Sequence, residues 1–196
     1  MKKILAIVIL FLMIFSIVLI KQYNSIQKKH EAVNASFSEV FNQYQRRYDL
    51  IPNLVNTVKS YTIYEKEVLE NVIKARSSVG KININADQID DPKLVIKYQN
   101  AQNELSSSIT KLLAISEQYP DLKASSLYQD LMVQLEGTEN RISVARSRQI
   151  ETINQYNAQL REFPAIIIAS YMDYQPINQI PPSNDSKIAV VPKVEL

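Results

Sequence analysis

An uninterrupted apolar run near the N-terminus constrains this chain more than any other feature. Residues 4–20, ILAIVILFLMIFSIVLI, contain no charged side chain and a single serine. As a helix they rise roughly 25 Å, at about 1.5 Å per residue, which is a viable span for a bilayer. A cleaved signal peptide is the alternative, but its apolar region is usually only about 7–15 residues long and leads to a small-residue cleavage site. Because the polar segment 21–24, KQYN, follows instead, the sequence predicts a retained transmembrane anchor over residues 1–21.

The lysines around the apolar run bear on its orientation. Lys2 and Lys3 precede the run, while Lys21, Lys28 and Lys29 follow it. The numbers of positive charges on the two sides are therefore almost equal, and the positive-inside rule gives little preference for either orientation. The two lysines directly at the N-terminal end favour a cytoplasmic N-terminus. We therefore expect a single-pass protein whose soluble domain lies on the extracytoplasmic side.

The remainder of the chain has the composition and spacing of long helices. Gly80 and Gly137 are the only glycines, whereas sheets and phosphate-binding loops usually need more. Apolar residues recur three and four apart, which is the spacing of one helical face. In the first helix, predicted from about residue 23 to 47, this face is formed by Tyr23, Ile26, His30, Val33, Phe37, Val40 and Tyr44.

Three further helices are predicted, over about residues 51–79, from Asp91-Pro92 to Pro120, and from Ser125 or Ser126 to Phe163-Pro164. The polar segment 81–91 between the second and the third is expected to be a loop. Asp91 can cap the third helix with its carboxylate, and Pro92 suits the first helical position, where its missing N–H would be unpaired anyway.

The stretch RRYDLIPNLVNTV, residues 46–58, places a proline inside an otherwise helical pattern. A chain reversal at Tyr48–Ile51 would let the two halves pack on each other. Asp49 would then cap the second helix, and Pro52 would lie in its first turn, where the missing N–H has no consequence. The alternative is one continuous helix kinked at Pro52.

These elements predict an all-α protein, with an N-terminal transmembrane helix followed by an antiparallel four-helix bundle over residues 22–164. The last segment, residues 165–196, begins with a short apolar run, AIIIASYMDY, and continues as a proline-containing tail expected to be mobile. The run is too short to span a bilayer. It would pack as a lid on the bundle, or alternatively lie at the membrane surface.

The sequence offers few residues for catalysis or cofactor binding. It has no cysteine and a single histidine, His30, so that thiolate chemistry and paired-histidine metal sites are excluded. Nucleotide-binding glycine motifs are absent. The net charge of +2 gives no general reason to expect nucleic acid as a partner. We therefore predict no catalytic residue, no cofactor and no metal, and a protein that is not an enzyme.

Several motifs resemble those of the LemA family. The stretch QRRYDLIPNLVNTVKSY (45–61) is close to the family's KRRYDLIPNLVETVKGY, and LEGTENRISVAR (135–146) matches LEGTENRIAVAR almost residue for residue. Tyr119 to Ala124, YPDLKA, corresponds to YPxLKA, and the resemblance covers about residues 1–176. The chain departs from the family pattern at Gln149-Ile150, where Tyr-Asn is usual, and at its C-terminal end.

The resemblance implies a bacterial single-pass protein of the inner membrane with a helical-bundle domain and no established catalytic activity. Some relatives help to organise internal membrane compartments in magnetic bacteria. A set of polar motif residues then lies on otherwise packed helices, and we interpret it as a buried hydrogen-bond network that fixes helix register, with a binding role as the weaker alternative. These residues are Asn53, Glu65, Arg76, Glu139, Asn140 and Asn157.

We expect Glu65 and Glu139 to pair across helices with Arg76 and Arg146. For function, the leading hypothesis is a membrane-tethered bundle that binds a protein partner or self-associates. The alternative is an accessory factor that acts on lipid or membrane organisation through residues 165–174 and Arg46-Arg47. An unrecognised enzyme is the third reading.

Overall fold

The protein is built from helices. The computed structural model describes residues 1–62, 64–82, 84 and 91–178, and within these ranges the chain has no strand. The helices are α1 (Lys2–Tyr61), α2 (Lys66–Gly80), α3 (Pro92–Ser116), α4 (Pro120–Ala124), α5 (Ser126–Arg161) and α6 (Ala165–Tyr171). The predicted all-α fold class with a long apolar N-terminal helix is confirmed.

α1 joins the apolar run to the rest of the chain without interruption. It is 60 residues long, and among the described helices it alone is long and apolar enough to cross a membrane, judged by length and composition. The side chains of residues 1–18 are exposed, so that the run is not covered by other parts of the chain. Beyond it, most of the predicted apolar face is buried, namely Ile26, Val33, Phe37, Val40 and Tyr44, whereas Tyr23 is exposed and His30 is partly buried.

The predicted turn at Tyr48–Ile51 is wrong. α1 continues through Pro52 to Tyr61, and the chain reverses between α1 and α2 instead. Asp49 lies inside α1, is exposed, and accepts a hydrogen bond from Gln45 one turn earlier (2.9 Å), so it caps no helix. The continuous helix that was the alternative is therefore the one that forms.

The helix can pass through Pro52 because another part of the chain compensates for the missing N–H. A proline at this position leaves the carbonyl of the residue four earlier, Tyr48, without its helical donor. Arg76 on α2 donates from Nε to this carbonyl oxygen (3.1 Å). Since no polar backbone group is left unpaired, there is no reason for the helix to end here.

The predicted second helix over residues 51–79 is wrong at its start, because residues 51–61 belong to α1 and α2 covers only Lys66–Gly80. The boundaries of α3 and α5 follow the predictions more closely. α3 begins at Pro92, and Asp91 accepts from the backbone N–H groups of Lys93 (3.0 Å) and Leu94 (3.3 Å), so the predicted cap is confirmed. α5 runs from Ser126 to Arg161, and its predicted apolar face is buried from Tyr128 to Leu160. Most of the predicted loop 81–91 and the predicted mobile tail from residue 179 lie outside the described residues.

The chain divides into two compact units, and both α1 and α5 contribute to each. Unit 1 contains described residues 1–41 and 143–178, and unit 2 contains described residues from 42 to 142. In unit 1, successive residues of α1 contact residues of α5 in reverse order, with Ser25 bonded to Gln159, Ser36 to Thr152 and Glu39 to Arg148. The two helices therefore run antiparallel in this unit.

In unit 2, contacts along α1 show the direction of its neighbours. Tyr44 and Arg47 of α1 bond Gln99 and Gln102 of α3 in the same order, so these helices run parallel. α2 starts beside the end of α1 and returns to Tyr48, which makes it antiparallel to α1. The core of this unit includes Ile51, Leu54, Val58, Leu69, Val72, Leu105, Leu112, Leu122 and Leu135. The antiparallel four-helix bundle remains our interpretation of these contacts.

Candidate functional site

A buried arginine lies at the centre of unit 2. The apolar face of α1 carries Arg47 into the core, where the residue is 1% exposed. Its Nη1 donates to Ser106 Oγ and to Glu139 Oε1 (2.8 Å), and its Nη2 donates to the backbone oxygen (3.1 Å) and Oε1 (2.5 Å) of Gln102. This arrangement joins α1, α3 and α5 through one side chain. The sequence analysis missed it and treated Arg47 as a candidate for lipid contact, which its burial rules out.

The surroundings of the Arg47 guanidinium suit a permanent positive charge. Glu139 supplies the opposite charge and keeps its own side chain 47% exposed. The Tyr44 ring lies 5.2 Å from the guanidinium carbon, within the range of a cation–π interaction. Burial raises the pKa of the nearby Tyr98 phenol, which therefore stays neutral at physiological pH. Glu139 is thus the acidic partner of this group, and the predicted pairing of Glu139 with Arg76 or Arg146 is wrong.

Arg76 and Tyr48 form the second arrangement. The guanidinium of Arg76 stacks over the Tyr48 ring, 3.8 Å from its centroid, while its Nε donates to the Tyr48 carbonyl. Gly80, one turn further along α2, lies against the same tyrosine, because a Cβ at this position would be 2.8 Å from Tyr48 Oη. Arg76 is half-buried. It holds α2 on α1 at the level of Pro52, so its predicted structural role agrees with this geometry, although its partner is Tyr48 rather than a glutamate.

Glu65 belongs to a third arrangement, at the turn between α1 and α2. Its Oε1 accepts from the Tyr119 hydroxyl (2.9 Å), which in turn accepts from Thr62 Oγ1 (3.0 Å). Tyr119 directly precedes α4. This chain of hydrogen bonds links the turn to the entry of α4, and Glu65 has a tyrosine rather than an arginine as its partner.

Asn157 binds a segment of backbone in unit 1. Its Nδ2 donates to the Ile177 carbonyl (2.8 Å), and its Oδ1 accepts from the Ile177 N–H (2.9 Å). Both hydrogen-bonding groups of one extended residue are therefore satisfied by a single amide side chain. Asn157 holds the segment that follows α6 against α5.

None of the six predicted polar core residues is fully buried: Asn53, Glu139 and Asn140 are exposed, and Glu65, Arg76 and Asn157 are partly buried. The predicted buried network is therefore wrong in that form, because these side chains bond at the edges of the helix contacts. Asn140 follows Glu139 on α5 and points away from the core that Glu139 reaches. Asn53 lies at a cleft of about 480 Å³ between α1 and α5 in unit 2, lined by Leu50, Asn53, Asn56, Thr57, Leu127, Asp130, Leu131 and Gln134.

A second open cleft, of about 530 Å³, lies between α2 and α3. Its lining is mostly amides and hydroxyls, namely Val68, Asn71, Asn100, Asn103, Glu104, Ser107, Ser108 and Lys111. In the part of the chain that the structure describes, no group of three or more His, Cys, Asp or Glu side chains is placed to hold a metal ion. The His30 ring packs near the Tyr156 ring, with centroids 5.5 Å apart and the ring planes tilted by 56°.

Comparison with known proteins identifies the family. The chain is 24% identical to the magnetosome protein MamQ of Magnetospirillum gryphiswaldense, over 97% of this chain and 76% of that protein. It is 22% identical to protein LemA of Metamycoplasma hominis, over 84% of this chain and 71% of that protein. The model of the LemA family matches residues 36–196. Together with the N-terminal apolar helix, these matches indicate a membrane-associated helical protein. With most of its length matched by the family model, the chain belongs to the LemA family.

Proposed function

We propose that this protein is a membrane-anchored helical scaffold that binds a protein partner or a second copy of itself and catalyses no reaction. One observation carries this proposal. The charged family motif residues, among them Arg47, Arg76 and Glu139, make contacts inside the fold. They therefore hold helices together, and the surfaces left for function are the outer faces of those helices.

The cleft at Asn53 is the face we assign to the partner. It combines exposed amides with an apolar side chain, Leu127, which is 58% exposed. On the same helix Val133 is 70% exposed. Exposed apolar residues surrounded by hydrogen-bonding groups are the usual composition of a protein interface, with an apolar centre and a polar rim.

We place the anchor, residues 4–20, in the bacterial inner membrane, with the domain on the extracytoplasmic side. The lysine pair at the N-terminal end of the run supports this orientation. Because the chain contains no cysteine, single cysteines introduced at Lys3 and at Lys28 can be tested in intact cells with a membrane-impermeant maleimide. Labelling of Lys28→Cys alone supports this orientation, and labelling of Lys3→Cys alone reverses it.

Photo-crosslinking in cells tests the scaffold proposal. A crosslinking amino acid is introduced at Leu127 or Val133 of the full chain, with Lys111 on α3 as the matched control. We expect one defined adduct, with a partner protein or with a second copy, from the two α5 positions and not from Lys111. The adduct should be lost on Asn53→Arg while thermal stability is unchanged. Equal, unspecific adducts from all three positions would contradict the proposal.

A second candidate function is action on membrane lipid, and one observation favours it. α6 in unit 1 leaves apolar side chains exposed close to the end of the apolar run of α1. The predicted contribution of Arg47 to lipid contact is withdrawn because the residue is buried, and Arg46 remains as an exposed cation. The position of α6 leads to a more specific inference.

A further inference from the structure

α6 and the residues beside it present an apolar surface that no described part of the chain covers. Phe163 is 82% exposed, Ile166 and Ile167 are each 46% exposed, and Tyr171 is 88% exposed. Their spacing places them on one side of a helix, whereas Ala165 and Ala169 on the other side are buried. α6 therefore packs with its alanines and leaves its large apolar side chains to another environment.

Contacts made by residues before and after α6 in the sequence fix its position along the axis of α1. Before α6, Gln159 near the end of α5 donates to Gln22 Oε1 (3.1 Å) and accepts from Ser25 (3.5 Å). After α6, Tyr174 accepts a hydrogen bond from Gln27. The seven-residue helix is thus held on both sides by the turns of α1 that immediately follow the apolar run.

These contacts place α6 at the depth of the lipid headgroups. The apolar run ends at Ile20. At about 1.5 Å per residue, Gln22 lies roughly 3 Å and Gln27 roughly 10 Å beyond that point along the helix. The headgroup region adds only about 5–8 Å to each side of the hydrocarbon core, and interfacial helices bury their apolar face about 5–10 Å into this boundary.

The neighbouring side chains are of the type found at this depth. Tyr171 and Tyr174, together with Tyr23 on α1, supply rings with one polar end, which is the composition of aromatic belts at membrane interfaces. Lys21 and Lys28 on α1 are exposed and could attract lipid phosphates, but the exposed acids Glu162 and Asp173 flank α6. These acids partly offset the attraction between the lysines and lipid phosphates. Burial of the apolar side chains is therefore the main favourable contribution to the free energy with which α6 binds the membrane.

We propose that the apolar face of α6, with Phe163 and Tyr171, inserts into the headgroup region of the same bilayer that holds residues 4–20. The proposal rests on the membrane anchoring proposed above. It makes the domain attached to the membrane at two points, the anchor and α6. Because burial of apolar side chains dominates the free energy of insertion, we expect α6 to insert into vesicles of phosphatidylcholine alone, without anionic lipid.

Site-specific labelling of the full chain tests this proposal. Because the chain has no cysteine, a single cysteine at Ile167 can carry an environment-sensitive fluorophore in phosphatidylcholine vesicles. Parallel samples contain lipids with nitroxide near the headgroup, which reports on α6, or in the middle of the acyl chain, which reports on the anchor. Ile96→Cys on α3 in unit 2, where the isoleucine is 49% exposed, is the matched control, and Ile14→Cys reports on the anchor. We expect blue-shifted emission and several-fold stronger quenching at Ile167 than at Ile96.

The three labels separate the possible failures. If Ile14 is not quenched, the proposed anchoring itself fails. If Ile14 is quenched but Ile167 is quenched no more than Ile96, the anchoring stands and the inference about α6 is overturned. Blue-shifted emission at Ile167 without quenching by lipid nitroxide would show that protein covers this surface, such as a second copy, and would also overturn it.

Discussion

The two units of this protein are held together by different kinds of polar contact. In unit 2 several polar contacts between helices involve a charged side chain, with Arg47 buried beside Glu139 and Arg76 stacked on Tyr48. In unit 1 they are mostly neutral, between amides, hydroxyls and backbone groups, and the ion pair Arg148–Glu39 is on the surface. A buried charge leaves a large penalty when its partner is removed, whereas a neutral hydrogen bond has a modest net value. Single substitutions should therefore have larger effects in unit 2.

Removal of the buried arginine should produce the largest effect. Arg47→Ala removes hydrogen bonds to two other helices and leaves Gln102, Ser106 and Glu139 without their donor. Because the remaining Glu139 is half-exposed, the cost comes from the lost charge-assisted hydrogen bonds and the space left in the core, and we expect the free energy of unfolding of unit 2 to fall by about 2–4 kcal/mol. Hydrogen exchange of α3 and α5 peptides in the detergent-solubilised full chain measures this change. Arg46→Ala, at the neighbouring exposed arginine, is the matched control. Equal losses of unfolding free energy from the two substitutions would mean that the burial of Arg47 does not determine its contribution to stability.

Two buried glutamines allow a direct comparison of the units. In unit 2, Gln102 Oε1 accepts from Arg47, while its Nε2, like that of Gln149, is buried without a hydrogen-bond partner. Gln102→Leu should therefore cost about 1–2 kcal/mol, less than the full value of a hydrogen bond to a charged group. In unit 1, Nε2 of Gln149 is buried without a hydrogen-bond partner. Gln149→Leu removes an unsatisfied polar group and should stabilise unit 1 by about 1 kcal/mol.

Urea unfolding combined with hydrogen exchange distinguishes the two glutamines. Destabilisation by both substitutions would show that Gln149 has a role that its contacts do not reveal. This position is one where the chain departs from the usual family pattern, so the result also indicates what that departure changes.

The segment after α6 gives the third comparison. Asn157→Ala removes both hydrogen bonds to Ile177 and should cost about 1–2 kcal/mol locally, with faster exchange of the Ile177 amide. Asn157→Asp keeps the acceptor and should retain part of the protection. Asn140→Ala, an exposed asparagine in unit 2, should change stability by less than about 0.5 kcal/mol. If Ile177 exchanges equally fast in the native chain and in Asn157→Ala, the two hydrogen bonds do not persist in solution.

The smallest effect concerns Pro52. Arg76→Ala leaves the Tyr48 carbonyl without a donor, whereas in a Pro52→Ala background the restored N–H can bond to that carbonyl. The cost of Arg76→Ala should therefore be smaller by about 1 kcal/mol in that background. A double-mutant cycle measures this coupling, and the cycle of Asn53→Ala with Arg76→Ala is the additive control. Additivity in both cycles would show that Arg76 acts through Tyr48 stacking alone.

Local patterns predicted several elements of this fold, but not the boundary between α1 and α2. The apolar faces of the first and last long helices, the Asp91 cap and the position of the apolar run were all predicted from spacing and residue type. The same pattern also contained a signal for Arg47, because the buried face of α1 continues from Tyr44 through Arg47 to Ile51. A charge at a position where the spacing demands a buried residue indicates a buried ion pair, and the sequence analysis did not use this rule.

The errors arose where a contact joins residues distant in sequence. Whether a helix ends at Pro52 depends on whether a donor reaches the Tyr48 carbonyl, and that donor is Arg76 on another helix. The partners of Glu65 and Glu139 likewise depend on how helices are placed side by side. Local propensity cannot supply such information, because many pairings satisfy the same helical faces.

The length of the apolar run has a consequence for the membrane in which the protein resides. Residues 4–20 span roughly 25 Å, whereas an average hydrocarbon core is about 30 Å thick. A short span is accommodated by thinning of the bilayer, by residues that extend to the interface at its ends, or by an untilted orientation, each at a modest free-energy cost per ångström. Lys3 and Lys21 have side chains long enough to reach outward in this way. Hydrophobic mismatch thus favours thinner bilayers for this protein, so that membrane thickness itself can decide where it accumulates.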